Sequence, residues 1–196
     1  MSARDSILEA VRRARIAPVA LPEYPTGQRF ADPVAKFLEM VGAVGGTGLR
    51  VADAAALDAR LAELPVWAQA RKTISLVAGA GRPTLDPGSL SDPHDLEGLD
   101  VTVLAGEVAV AENGAVWVPG KNLGPHRAVF VIAEHLVLVV RASDVVSNMQ
   151  EAYARIEIER PGYGLFISGP SKTADIEQAL VVGAHGARSC TVYVVG

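Results

Sequence analysis

Residues Leu136-Val137-Leu138-Val139-Val140 form a run that is apolar at every position. A strand with one face in water would alternate apolar and polar side chains. The continuous run therefore predicts a central strand that is covered on both faces. On either side of it, short apolar runs alternate along the chain with helical patterns. This alternation predicts an α/β fold in which helices flank a mostly parallel sheet.

The other strands and helices are predicted from weaker patterns. Short apolar runs predict strands at residues 49–51, 74–78, 101–104, 164–167 and 191–195. Apolar residues at helical spacing predict helices that begin near Ser2, Asp32 and Asp53, and a further one capped by Ser143 or Asp144. The stretch 178–182 is also interpreted as a helix.

A β-hairpin insert is predicted around Asn113-Gly114. Valines alternate with other residues on both sides of this dipeptide, which is typical of a tight hairpin turn. Glu112 stands next to the turn and allows two interpretations. It is either part of an ordinary surface turn, or a rigidly held carboxylate that could act as a nucleophile or a base.

One domain with a small N-terminal appendage is expected. Residues 1–31 predict an N-terminal helix and an extended arm, because three prolines and a glycine interrupt the sequence after the helix. Residues 32–196 carry the alternating pattern and are expected to form the α/β domain.

Composition excludes several functions. The net charge of −4, without a basic stripe, argues against a nucleic-acid partner. The one cysteine, Cys190, cannot form an internal disulfide or hold an iron–sulfur cluster, and no histidine pair has metal-ligand spacing, so neither a metal nor a cofactor is predicted. The charged N-terminus does not resemble a secretory signal and no run is long enough to cross a membrane, so the cytoplasm is the expected compartment.

The densest group of special-purpose residues is the loop Ser168-Gly169-Pro170-Ser171-Lys172-Thr173. Between a strand and a helix, such a loop would present free N–H groups and a lysine to an anion. The other interpretation is an ordinary turn in which Ser171 or Thr173 caps the helix. His185 lies between Gly183 and Gly186, where it could either reach a pocket or end a helix.

These motifs resemble a known family. The run Gly169-Pro170-Ser171-Lys172-Thr173-Ala174-Asp175-Ile176-Glu177, with Gly183-Ala184-His185-Gly186 behind it, resembles the signature of the LUD-domain family, in particular its lactate utilisation protein C type. Ala111-Glu112-Asn113-Gly114 and His135-Leu136-Val137 are similar to two further family motifs, and the resemblance extends over essentially the whole chain. Lys172, Ala187 and Asn113 stand where the family usually has Arg, Pro and Thr.

The resemblance implies a fold, a role and partners. The fold is a three-layer α/β sandwich of the NagB/RpiA/CoA-transferase-like type. The role is in oxidising L-lactate to pyruvate beside iron–sulfur lactate-utilisation proteins, which would supply the redox groups that this chain lacks. In coenzyme-A transferases of this fold, a turn resembling Glu112-Asn113-Gly114 presents the carboxylate that attacks an acyl thioester.

Three hypotheses follow. The first is an accessory or substrate-handling subunit that binds a small carboxylate or phosphate at the 168–173 loop. The second is an autonomous acyl-CoA transferase-like, hydrolase-like or sugar-phosphate enzyme that uses Glu112, and the third is a structural scaffold. The expected ligand-binding residues are Gly114, Gly169, Ser171, Lys172, Thr173, Asp175 and Gly186, with Glu112 and His185 as the candidate catalytic residues.

Overall fold

The computed structural model describes residues 2–16, 19–20, 22, 26–158, 162–174 and 179–196. The helices in these ranges are α1 (Ala3–Arg13), α2 (Pro33–Ala43), α3 (Ala54–Ala62), α4 (Pro65–Ala68), α5 (Val129–Ile132) and α6 (Met149–Arg155). The strands are β1 (Thr47–Val51), β2 (Thr73–Ser75), β3 (Val101–Ala105), β4 (Val108–Val110), β5 (Ala115–Pro119), β6 (His135–Arg141), β7 (Val145–Val146), β8 (Gly164–Ile167), β9 (Lys172–Thr173), β10 (Val181–Val182) and β11 (Ser189–Val195).

The centre of the fold is a five-stranded parallel sheet with the order β1-β11-β6-β3-β2. β6 is its middle strand, and the run 136–140 is buried along its whole length, as predicted. In the register, Val137 lies between Val103 of β3 and Thr191 of β11. The predicted α/β fold with a mostly parallel central sheet and flanking helices is confirmed.

A second sheet, which the sequence did not predict, packs on one face of the first. Its order is β7-β4-β5-β8, and the predicted hairpin at Asn113-Gly114 forms its centre as β4 and β5. β8 pairs antiparallel with β5, so the strand 164–167 belongs to this sheet and not to the parallel one. The loop that follows β8 therefore does not extend from a strand of the central parallel sheet.

Alternate side chains of β6 enter two different cores. Leu136, Leu138 and Val140 pack with α2, α5 and the second sheet, whereas Val137 and Val139 pack on the opposite face with α3 and α4. A third, smaller core lies between the outer face of the second sheet and α6. Burial on both faces explains why β6 has no polar position between residues 136 and 140.

Two helix predictions are wrong in detail. The helix expected to be capped by Ser143 or Asp144 instead begins at Met149, where the Asn148 side chain accepts the Glu151 N–H, and residues 145–146 form β7. No helix occupies residues 179–182, because Val181 and Val182 pair with Thr173 and Lys172 as strands. The predicted caps Asp32 and Asp53 are confirmed, since both accept a backbone N–H from the first helical turn.

The N-terminal helix α1 contributes no residue to a core. Ser2 and Asp5 form a reciprocal capping box at its start. Further along, the backbone N–H groups of Gly27 and Phe30 donate to Gln150 and Ser147. The predicted boundary between residues 31 and 32 stays a prediction. In the part of the chain that the structure describes, none of the helices has the length and apolarity required to cross a membrane.

Asp100 joins the start of β3 to that of β2. Its carboxylate accepts the backbone N–H groups of Lys72 at 2.8 Å and Arg71 at 2.7 Å. The hydrogen bond from Lys72 is the main reason why the pKa of Asp100 is lowered, although partial burial raises it. Because the folded pKa lies below the unfolded one, this group stabilises the protein above the unfolded pKa, and the stabilisation is lost as the pH falls through the folded pKa.

We therefore expect Asp100→Asn to lower the free energy of unfolding by ~1–2 kcal/mol at pH 7, where the charged acceptor is lost. The difference from the wild type should shrink as the pH falls below about 4. Urea unfolding at pH 7, 5, 4 and 3.5 measures it. Glu39→Gln, at an exposed ion pair with Lys36, is the control and should cost less than ~0.5 kcal/mol. A difference for Asp100→Asn that does not change with pH would contradict the assignment.

Candidate functional site

Glu112 is exposed at the end of β4, but its carboxylate has a structural contact. The carboxylate Oε1 accepts a hydrogen bond of 2.7 Å from the backbone N–H of Met149, and Met149 is the first residue of α6. The Glu112 backbone N–H donates to Ser147 at 3.0 Å. A carboxylate at a helix N-terminus is favoured by the helix dipole. Glu112 therefore connects the hairpin to α6, whatever chemical role it has in addition.

Gly114 is buried in the hairpin turn and faces α2. Its φ is +65°, and a Cβ atom built on it would lie 2.9 Å from the carbonyl carbon of Met40. The neighbouring Asn113 carbonyl accepts the Ser168 hydroxyl at 2.8 Å. The turn thus packs against a helix backbone on one side and the 168–173 loop on the other.

Lys172 lies at the C-terminal end of α2. Its ammonium donates to the carbonyl of Val44, the residue that caps this helix. Gly169, with φ +71°, approaches the same carbonyl so closely that a Cβ atom would be 2.4 Å from its oxygen. The dipole of α2 stabilises a cation at the C-terminal end of the helix. In this structure Lys172 therefore has a structural contact with the helix backbone.

The 168–173 loop does not lead into the expected helix N-terminus. Lys172 and Thr173 form β9, which pairs with β10, and Ala174 continues without helical structure. Asp175, one of the predicted ligand-binding residues, lies outside the described residues. Residues 171–174 and 179–182 therefore provide no helix dipole that could hold an anion.

The loop nevertheless forms one wall of a cavity, which we call the loop cavity. It has a volume of about 260 Å³. Its lining residues are Phe130, Val131, Leu136, Leu165, Phe166, Ile167, Ser168, Gly169, Pro170, Ser171, His185, Gly186 and Ala187. Four predicted site residues, Gly169, Ser171, His185 and Gly186, are thereby brought together. Glu112, Gly114, Lys172 and Thr173 are not among the lining residues.

Backbone hydrogen bonds hold the two loops of this cavity together. The N–H of Ser171 donates to the carbonyl of Ala187, and the N–H of Gly183 donates to the carbonyl of Ser171, both at 2.9 Å. A Cβ atom on Gly186 would lie 3.1 Å from the Ser171 Cβ. Ser171 and His185 thus lie on two strands of chain that are fixed to each other.

The floor of the loop cavity is apolar. Leu136 comes from the start of β6, Leu165 and Ile167 from β8, and Phe130 from α5. These residues were not predicted as part of a site, because apolar residues in predicted strands have the same sequence pattern as ordinary core residues, and the four-residue α5 gives no periodic signal. On its outer side, His185 also lines an open depression that contains the ion pair of Arg188 and Glu134, 2.6 Å apart.

The described residues do not form a metal site, and the Cys190 thiol is buried. Among the described residues, no three histidine, cysteine, aspartate or glutamate side chains lie together as a metal site would require. Cys190 is 1% exposed, and burial raises the pKa of its thiol to about 12, although the charge of Lys172 opposes the shift. The thiol therefore remains protonated and out of reach of a substrate.

Comparison with known proteins identifies the family. The model that describes the LUD domain matches residues 93–195, which include β3 to β8, both cavity loops and β11. The chain belongs to the LUD domain family. The predicted family resemblance is thereby confirmed.

Relatives of this LUD domain protein are proteins named lactate utilization protein C. The one from Deinococcus radiodurans is 30% identical over 99% of this chain and 96% of its own length. Those from Geobacillus kaustophilus and Shouchella clausii are 31% and 35% identical over 79% and 48% of this chain. The alignments cover 65% and 44% of those two proteins, so the chain spans from just under half to about two thirds of their length.

A solved structure has the same fold. The crystal structure of a DUF162 family protein from Deinococcus radiodurans superposes with a TM-score of 0.60 at 21% identity. The alignment covers 85% of this chain and 98% of that one. This similarity concerns the arrangement of the two sheets and their helices and does not by itself assign a ligand.

Proposed function

We propose that this LUD domain protein is a substrate-handling subunit of a cytoplasmic system that oxidises L-lactate to pyruvate, working with iron–sulfur partner proteins. The names of its relatives support the lactate assignment. The observation that carries the proposal is the loop cavity, because it brings Gly169, Ser171, His185 and Gly186 of the two family motifs together over an apolar floor.

The chemistry of the loop cavity suits a small hydroxy acid. Lactate has a methyl group, a hydroxyl and a carboxylate, all attached to one central carbon. Its methyl group would contact the floor of Leu136 and Ile167, and its polar groups would meet the Ser171 hydroxyl and the His185 ring. Both side chains can donate hydrogen bonds to a carboxylate or accept one from a hydroxyl. A volume of about 260 Å³ leaves room for water beside so small a molecule.

In this proposal the protein binds and positions the lactate, and the iron–sulfur partner proteins accept the electrons from its oxidation. The one cysteine is buried and protonated, which leaves it unsuited to receive electrons. Iron–sulfur proteins carry electrons in clusters held by cysteine thiolates, which this chain does not have in sufficient number. Reconstitution with the candidate partners, with and without this chain, would test the dependence directly.

We expect His185→Gln to weaken the binding of L-lactate or pyruvate by ~10-fold or more, since one good hydrogen bond to a charged group contributes ~1.5–3 kcal/mol. Ser171→Ala should weaken it by a smaller factor. Isothermal titration calorimetry with L-lactate, pyruvate and inorganic phosphate measures the effect. His94→Gln is the matched control, because the His94 side chain is 94% exposed and outside the cavity.

The outcome separates the hypotheses for this loop. Equal affinities in the wild type and in His185→Gln, or no binding of any of the three anions, would remove the anion site from the proposal.

Lys172→Ala distinguishes a role of Lys172 in ligand binding from its structural contact with Val44. A loss of affinity without a loss of stability would assign Lys172 to the ligand, and a loss of stability alone would assign it to α2.

A further inference from the structure

A second cavity lies at the opposite end of β8 from the loop cavity. We call it the Arg127 cavity, and its volume is about 350 Å³. It is lined by Pro119, Gly120, Lys121, Gly124, Pro125, Arg127, Glu157, Ile158, Gly162 and Tyr163. Gly164 begins β8 on this side, whereas Ile167 ends it at the loop cavity. None of the described residues lines both cavities.

The walls of this cavity are held close together by a tight turn after β5. The backbone N–H of Gly120 donates to the carbonyl of Tyr163 at 2.6 Å. A Cβ atom on Gly120 would lie 2.7 Å from that same oxygen, so only glycine permits this approach. The turn is anchored by Leu123, which is fully buried, and by the Asn122 amide, which donates to the carbonyl of Ala105 at 2.9 Å. The turn after β5 is thus fixed by hydrogen bonds and by a buried side chain on this side of the cavity.

In the part of the chain that the structure describes, two cations line this cavity, and they differ in how they are held. Lys121 lies 2.8 Å from Glu107. The Arg127 guanidinium lies over the Tyr163 ring, with 5.2 Å between its central carbon and the ring centroid. Among the described residues, no carboxylate lies within ion-pair distance of Arg127. Stacking on a ring fixes the plane of a guanidinium while its N–H groups remain able to bind an anion.

The charges and the shape together select a class of ligand. Among the described residues that line the cavity, Lys121 and Arg127 are the cations and Glu157 is the carboxylate, and Glu107 pairs with Lys121, so that Arg127 is the stronger attraction for an anion. Pro125, Ile158 and the exposed part of the Tyr163 ring provide apolar surface beside them. A volume of about 350 Å³ is within the range of small-molecule sites, which is ~300–1,000 Å³.

We propose that the Arg127 cavity binds a small organic anion, whose phosphate or carboxylate group is bound by Arg127 and Lys121 and whose apolar or aromatic body lies against Tyr163 and Pro125. Arg127 is the main determinant because its planar fork can form two parallel hydrogen bonds to such a group. The site is independent of lactate binding in the loop cavity. It gives the protein a second position at which a metabolite could be bound.

The test uses phenyl phosphate, benzoate and phenol, which share a ring and differ in charge. Backbone amide chemical shifts of the full chain, followed by NMR during titration, report both the affinity and the location. Binding in the Arg127 cavity should shift the amides of Gly120, Gly124 and Tyr163, whereas binding in the loop cavity would shift those of His185 and Gly186. The first two probes distinguish a phosphate from a carboxylate preference, and phenol measures the contribution of the ring alone.

We expect at least one of the two anions to bind with shifts at Gly120 and Gly124, and phenol to bind about tenfold more weakly or not at all. Arg127→Gln should reduce the affinity for the anion about tenfold or more, and Lys121→Gln should reduce it by a smaller factor. Arg60→Gln is the control, because Arg60 is exposed on α3, across the central sheet. Unchanged affinity in Arg127→Gln, equal binding of phenol, or no shift at these glycines with either anion would overturn the proposal.

Discussion

Gly114→Ala is expected to lower the free energy of unfolding by ~3 kcal/mol, through two costs that add. The residue has φ +65°, a backbone conformation that residues other than glycine rarely adopt. In addition, the new methyl group would lie 2.9 Å from the carbonyl carbon of Met40 and 3.0 Å from the backbone nitrogen of Val41. These atoms belong to a helix, so they cannot rotate away as the end of a flexible side chain could.

Gly79→Ala separates the two costs. Gly79 has a similar φ of +74°, but a Cβ atom there would meet no atom within 4 Å. It should therefore lose only the conformational part, ~1 kcal/mol. Urea unfolding of both variants, followed by circular dichroism, measures the difference. Equal losses would mean that the hairpin turn moves away from α2 at no cost, and the packing described for this turn would then be incorrect.

This comparison bears on the interpretation of Gly114 as a ligand-binding residue. The sequence shows a glycine in an Asn-Gly turn beside a carboxylate, and both features are compatible with a site. The structure adds a contact with α2, a helix far earlier in the chain. This contact would by itself be enough to require glycine at position 114. Tertiary contacts of this kind leave no local pattern, so the sequence could not separate a packing requirement from a binding requirement.

The parts of the fold that were predicted are those with strong local signals. Residues 136–140 of β6 are buried and therefore continuously apolar, and α2 and α3 begin with aspartate caps whose residue type and position are specific. The hairpin has the Asn-Gly dipeptide. β7 has only two residues, and two residues cannot show a period, so the second sheet could not be recognised.

The two loops that line the loop cavity were recognised in the sequence for the same physical reason. The two glycine-containing loops have distinctive residues, and the structure brings four of these residues together at the loop cavity. The helix predicted at 178–182 was wrong because a short apolar run is compatible with either element. At Val181 and Val182 the pairing with β9 favours the strand, and β-branched residues suit it. The apolar floor was missed because Leu136 and Ile167 have the same sequence pattern as ordinary core residues.

Phe37→Ala is expected to lower the free energy of unfolding by ~3–5 kcal/mol and the melting temperature by about 10 °C. Phe37 is fully buried in the middle of α2. It belongs to the core formed by both sheets, and α2 contacts β1 of the central sheet and β7 of the second one. Removing the ring would leave a cavity that the rigid backbones of two sheets cannot close.

Two controls define this effect. Phe37→Leu keeps most of the apolar volume and should cost ~1 kcal/mol. Tyr153→Ala removes a ring that is 63% exposed and contacts Phe166, so it should also cost ~1 kcal/mol. A loss for Phe37→Ala no larger than these would show that α2 does not hold the two sheets together.

The same variant tests whether the two sheets unfold as one unit. Trp117 lies in β5 of the second sheet, and Trp67 lies in α4, on the far side of the central sheet. In a Trp67→Phe background, fluorescence therefore reports on the second sheet, whereas far-ultraviolet circular dichroism reports on the whole chain. Because Phe37 packs with both sheets, we expect both signals to shift to lower urea concentration together. If only the fluorescence transition moved, the second sheet would be a separate unit, and the walls of the loop cavity, which come from both sheets, would not be held rigidly by the fold.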